Sequence, residues 1–194
     1  MKIKSFTILC LVTQLCLSAC PEETVFPNST FPELTITTSL GEVVIELDRN
    51  RAPKTVNHFL HHVASKTYDN NLVHRVVKDY VVQTGAFLSE LTEINACGKV
   101  INESGNGLLN KRGTIAMARY DDPHSASSSY YFNVADNTNL NPNEKSWGYT
   151  VFGHVVSGME VIDKMAQTKT SYNKELDAQD VPVNPILIIS VRLN

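Results

Sequence analysis

Val73-His74-Arg75-Val76-Val77-Lys78-Asp79-Tyr80-Val81-Val82-Gln83-Thr84-Gly85 consists of two apolar runs joined by two polar residues. β-Branched and aromatic side chains fill both runs, and Lys78-Asp79 sits where a tight turn belongs, so the stretch predicts a β-hairpin. Side chains alternate along a strand, which puts Val81 and Gln83 on one face. Burying a guanidinium without a partner is costly, so an arginine in so apolar a strand needs a partner or a task. Arg75 is therefore the first candidate functional residue.

Working outward, Leu34–Thr38 and Glu42–Leu47 alternate as strands around Ser39-Leu40-Gly41. Pro53 opens a helix over Lys54–Ser65, where Val56, Phe59, Leu60 and Val63 recur at helical spacing and cover a core. His58, His61 and His62 fall on the opposite face, read here as solvated and polar. His58 and His62 lie one turn apart, but no further ligand is evident and no metal is expected. Ala86–Arg112 is long, polar and glycine-containing, the character of a loop bordering a site. Gly113–Arg119, Tyr130–Val134, Val151–Val156 and Ile186–Leu193 predict further strands, and Val161–Ala166 a second short helix after Gly158. Many strands with two helices suggest an antiparallel barrel with helical caps.

The chain of 194 residues, 42% of them hydrophobic, is the size of one domain with a sizeable core. At its start Lys2 and Lys4, an apolar run over Phe6–Leu17 and then Leu17-Ser18-Ala19-Cys20 form the pattern of an export signal. The run is short for a membrane-spanning helix. Its end resembles a bacterial lipoprotein signal, which implies cleavage before Cys20, lipidation there and a membrane contact made only through that anchor. Pro21 in place of an aspartate after Cys20 points to an outer-membrane, periplasm-facing position. The expected organisation is a leader over residues 1–19, an extended proline-containing tether over 20–32, and one domain over 33–194. Loss of residues 1–19 removes two lysines and no acid, moving the formal net charge from −3 to −5. That balance gives no case for nucleic-acid binding. Cys10 and Cys16 depart with the leader and Cys20 carries lipid, so Cys97 is expected to stand alone as a small half-buried hydrophobe.

His74-Arg75-Val76-Val77 followed by Tyr80-Val81-Val82-Gln83-Thr84-Gly85 resembles the cyclophilin signature. Ile101-Asn102-Glu103, Asn106-Gly107-Leu108, Arg112–Arg119, Pro123-His124-Ser125-Ala126, Trp147–Gly153 and Val156–Asp163 resemble the matching bacterial segments in the same order. The resemblance covers nearly all of residues 33–194. It implies a closed eight-stranded antiparallel β-barrel with a helix over each end. The implied activity is cis/trans isomerisation of the bond before proline in peptide segments, by a monomer without cofactor. On the same ground Arg75 is the catalytic donor, Gln83 holds substrate backbone beside it, and Tyr80, Val81, Met117, Tyr131 and Leu140 form the proline pocket. Ala118 and Arg119 match the edge where substrate pairs, and Tyr149 a ring position. The chain departs from the family's usual pattern at Tyr80 and Tyr131, which stand for phenylalanine, at Val81 for methionine, and at Ser129 for a second glutamine. Asn139 stands where cyclosporin-sensitive members carry tryptophan, which implies weak cyclosporin binding. Buried tyrosine hydroxyls need partners.

Two other readings are testable. Asp121, Asp122, His124 and the serines of 125–129 lack the elbow of a serine hydrolase and read as loop chemistry. A tethered module that holds proline segments with little turnover is the serious alternative to an isomerase, and Arg75→Ala separates the two.

Overall fold

The computed structural model describes residues 25–194. The strands are β1 Glu33–Thr38, β2 Gly41–Leu47, β3 Asn71–Leu72, β4 Arg75–Val77, β5 Val81–Thr84, β6 Thr114–Met117, β7 Tyr130–Asn133, β8 Val151–Ser157, β9 Thr170–Asn173, β10 Ala178–Pro182 and β11 Leu187–Leu193. Two helices, α1 Pro53–Ala64 and α2 Met159–Ala166, and a 3-10 turn at Thr138–Leu140 complete the fold. The fold is mainly β with two helices, as expected.

Nine strands form one sheet in the order β3-β11-β1-β2-β8-β6-β7-β5-β4, and β9 and β10 form a separate hairpin. The resemblance implied eight strands and a closed barrel. The count differs because pairing lapses at Val73-His74, which splits one extended segment into β3 and β4. The Val73 amide donates to the Ile186 carbonyl (2.9 Å) and that of His74 to the Gln83 carbonyl (3.2 Å). No ladder joins β3 to β4, yet these end strands of the curled sheet are two residues apart in the chain.

Strand alternation sorts the side chains onto two faces. Val76, Val82, Ile115, Met117, Tyr130 and Phe132 enter the main core with Leu34, Ile36, Ile45, Phe59 and Phe152. Val81, Ala116, Tyr131 and Val151 form a second, smaller cluster on the opposite face. The central hairpin turns over three residues, Lys78-Asp79-Tyr80, since Val77 pairs with Val81. Asp79 takes the left-handed conformation (φ 56°), which aspartate tolerates better than most residues. Gly85 ends the segment at φ 84°, and a Cβ there would lie 2.6 Å from the Ser128 carbonyl oxygen, so only glycine fits.

Helix α1 buries Val56, Phe59, Leu60 and Val63 as its spacing predicts, but also His58 and His62, which are 6% and 1% exposed. The solvated histidine face is thus corrected: the 125–129 segment covers that side of the helix. His58 Nε2 donates to the Ser127 carbonyl (2.8 Å), and the rings of His58 and His62 meet edge to face at 4.7 Å. Burial, then the neighbouring His58 and His61, push the His62 pKa down to about 3. No side chain of Ala52 can cap α1, so Glu103 does it from the long loop. Its carboxylate accepts from the amides of Lys54 (3.2 Å) and Thr55 (2.8 Å) and from the Thr55 hydroxyl (2.7 Å).

The leader and the lipidation of Cys20 fall outside the described residues. Of the expected tether, residues 25–32 lie against the domain. Arg49 donates to the carbonyls of Val25, Phe26 and Ser29, and the Val25 amide reaches Asn57 Oδ1 at 2.9 Å. Cys97 does not stand alone: it is disulfide-bonded. The chain's other cysteines, Cys10, Cys16 and Cys20, all precede the described residues. Assigning every one of them to the leader or to lipid is what hid this bond.

Candidate active site

Register places a row of residues side by side across five strands: Arg75 opposite Gln83, Gln83 opposite Tyr131, Tyr131 opposite Ala116, and Ala116 opposite Val151. Directly paired residues share a face. Arg75, Gln83 and Tyr131 of this row line a hollow of about 220 Å³ with Tyr80, Val81, Ala118, Arg119, Leu140 and Tyr149, while Ala116 and Val151 are buried beside it. Nine of the eleven residues expected at the site converge there. Met117 does not: it is 1% exposed in the main core, because Ala116 and Ala118 take the outer face and alternation sends Met117 inward. Ser129 also lies off the hollow, and acts one residue back.

Hydrogen bonds with a single direction run through the polar side. Arg75 Nη1 donates to Gln83 Oε1 (3.3 Å), Gln83 Nε2 donates to Ser129 Oγ (3.3 Å), and Ser129 Oγ donates to the Thr84 carbonyl (3.1 Å). Serine in place of a longer amide thus sets the orientation of Gln83. The Arg75 side chain is 39% exposed and its Nε lies 3.9 Å from Asp180 Oδ2. Among the described residues Arg75 Nη2 makes no hydrogen bond, which leaves it available as a donor.

Both unusual tyrosines have partners. The Tyr131 hydroxyl donates to Asn110 Oδ1 (2.7 Å), which also accepts from Asn133 Nδ2 (3.2 Å). Burial, with Tyr149 and Tyr80 nearby, holds the Tyr131 phenol well above its ordinary pKa, so it stays a donor. Asn139 Nδ2 donates to the Tyr80 hydroxyl at 3.0 Å. Arg119 is a wall rather than a free cation. Its guanidinium binds the carbonyls of Tyr120, Asp121, Trp147 and Gly148, and lies 4.6 Å from the centre of the Tyr149 ring.

Gln83, Ala118 and Arg119 also border a larger cavity of about 530 Å³, reached by Glu93, Ile94, Asn95 and Ala96 of the long loop and by Ser125, Ser127, Ser128 and Ser129. His74 lines it, with Nδ1 buried and unpartnered and a pKa pushed down to about 4 by burial. Sequence reasoning missed Asn110, which holds the Tyr131 hydroxyl, and Asp180, which lies beside Arg75; no sequence signal ties either to residues far away in the chain.

The arrangement suits a reaction that changes no covalent bond: an apolar slot for a small ring, with one fixed cationic donor at its rim. Among the described residues no three His, Cys, Asp or Glu side chains gather where they can hold a metal. The family model "Cyclophilin type peptidyl-prolyl cis-trans isomerase/CLD" matches residues 33–193. The chain is 42% identical over 161 residues to the peptidyl-prolyl cis-trans isomerase cyp18 of Streptomyces antibioticus, covering 81% of this chain and 96% of that one. It is 38% identical over 164 residues to peptidyl-prolyl cis-trans isomerase B of Escherichia coli, covering 83% and 99%. The crystal structure of a cyclophilin type isomerase from Cryptosporidium parvum superposes with a TM-score of 0.70 at 22% identity, covering 84% of this chain and 98% of that one. Fold, signature and relatives agree, and the chain belongs to the cyclophilin-type peptidyl-prolyl cis-trans isomerase family.

Proposed function

We propose that this chain accelerates cis/trans isomerisation of Xaa-Pro bonds in peptide segments, with Arg75 as the donor to the prolyl nitrogen. Amide conjugation sets a barrier of about 18–20 kcal/mol to this rotation. A substrate proline ring seated against Val81, Tyr131 and Leu140 is held while the bond before it turns. A guanidinium beside the nitrogen stabilises the lone pair as it leaves conjugation, an interaction that exists only near the transition state and therefore speeds the reaction. The observation that carries the reading is the Arg75–Gln83 pair at the rim of the apolar hollow. The partnered hydroxyls of Tyr80 and Tyr131 weigh against a pocket spoiled for turnover. The test is NMR-detected exchange of a short Xaa-Pro peptide: Arg75→Ala should slow it about a hundred-fold or more while leaving the fold intact. Equal rates would leave the binding-module reading in its place.

The finer proposal is an exported form that assists folding of other exported proteins as a monomer. The leader-like sequence of residues 1–19 supports it. So does the disulfide at Cys97, because such bonds persist in oxidising compartments. A lipid thioether at Cys20, holding the domain at the periplasmic side of an outer membrane, is the alternative form of that proposal, because after loss of residues 1–19 the one sulfur of Cys20 serves either the lipid or Cys97. We also read β3 and β4 as one bent strand, which brings the curled sheet close to the eight-stranded barrel of the family.

A further inference from the structure

Arg75 stands on β4, the last strand of the sheet, whose outer edge carries no ladder partner. The β9–β10 hairpin packs across this strand and brings one acid to it: Asp180, whose Oδ2 lies 3.9 Å from Arg75 Nε. The backbone there is unusual in two respects. Register against β9 slips by one residue between Ala178 and Val181, and Asp180 sits in the slip at φ 62°, a left-handed position for a residue with a side chain. Bulges of this kind re-aim a side chain. Val181 and Pro182, directly after it, are buried and fix the hairpin. Asp177, on the same hairpin, accepts from the Tyr172 hydroxyl at 2.6 Å.

We propose that Asp180 is a positioning residue for Arg75. The inference rests on the isomerase reading and deepens it. Gln83 holds the guanidinium from Nη1 and Asp180 draws it from Nε, so the planar fork, and with it the unpaired Nη2, is constrained at two points. With Gln83 alone, the long side chain can swing about that single contact. At 3.9 Å the attraction is an ion pair between half-exposed groups rather than a hydrogen bond, which makes its effect modest and sensitive to salt.

Two substitutions test this in the full exported chain. Asp180→Asn keeps the shape and the tolerance of a left-handed backbone, and Asp180→Gly relieves that backbone altogether, so neither is expected to unfold the domain. Both should lower kcat on an Xaa-Pro peptide roughly two- to five-fold with KM unchanged. The ratio of wild-type to variant kcat should close toward one at about 1 M salt. The Arg75 Nε–H resonance should shift in both variants. Unchanged kcat in both variants of an active wild type, or a deficit that salt does not alter, overturns the positioning role alone. An inactive wild type overturns the isomerase reading and this inference with it.

Discussion

Acid should unfold this protein through its helix histidines, and His62 provides the cleanest test. Its ring is 1% exposed, packed against His58 and Tyr68, and its pKa is about 3 in the fold. In the unfolded chain an imidazole titrates near 6.5. The folded pKa is the lower of the two, so above about pH 6.5 both states are neutral and the site costs nothing. Below that the unfolded state takes up a proton that the folded state refuses, and stability falls until about pH 3. Each unit of pH in this window is worth about 1.4 kcal/mol, so at pH 5 the loss from His62 is about 2 kcal/mol. His74, at about 4, loses a similar amount by pH 5. Urea unfolding at pH 7.5, 6 and 5 should therefore show wild type losing about 4 kcal/mol to these two groups, and His62→Gln about 2 kcal/mol less than wild type. Parallel pH slopes for the two proteins would refute a buried neutral His62.

Other expectations follow from single contacts. Tyr131→Phe removes the donor to Asn110 Oδ1 from a buried site and should cost about 1 kcal/mol by denaturant midpoint, with activity largely kept. Glu103→Ala strips the cap of α1 and should cost about 1–2 kcal/mol, read as a lower melting temperature. Asn139, which holds the Tyr80 hydroxyl, offers no indole to cyclosporin, so inhibition should be weak; a nanomolar inhibition constant would contradict this. For Cys20, incorporation of labelled palmitate that Cys20→Ala abolishes would establish the anchor. An unlabelled protein whose Cys97 becomes alkylatable only after reduction would assign Cys20 to the disulfide.

The sequence carried the fold where burial is one-sided. β1 and β2 alternate cleanly and α1 repeats at helical spacing, and these, with the less regular β8 and β11, formed within a residue or two of their expected bounds. β9 and β10 escaped notice because Thr170–Asn173 buries nothing fully and Ala178–Pro182 buries only its last two residues, so neither shows an apolar rhythm to read. At the site, Arg75, Gln83 and Tyr131 were legible from the signature, and their meeting is a matter of register. Met117 went astray by one position, which in a strand means the opposite face. The polar faces were hardest to read: His58 and His62 look solvated on a helical wheel, yet a distant loop covers them.

The pairing of the first strand with the last bears on how the chain is made. Leu34 lies opposite Leu193, and β11 is inserted between β1 and β3. A chain that emerges N-terminus first thus holds β1 and β2 ready long before the strand that must flank them exists. Contacts this distant are the last to form and the slowest. Completion of the sheet therefore waits for β11, and the first two strands stay without their outer neighbour until it has been made. Removing the last eight residues should leave a chain that never closes its sheet, however much of the catalytic face it retains.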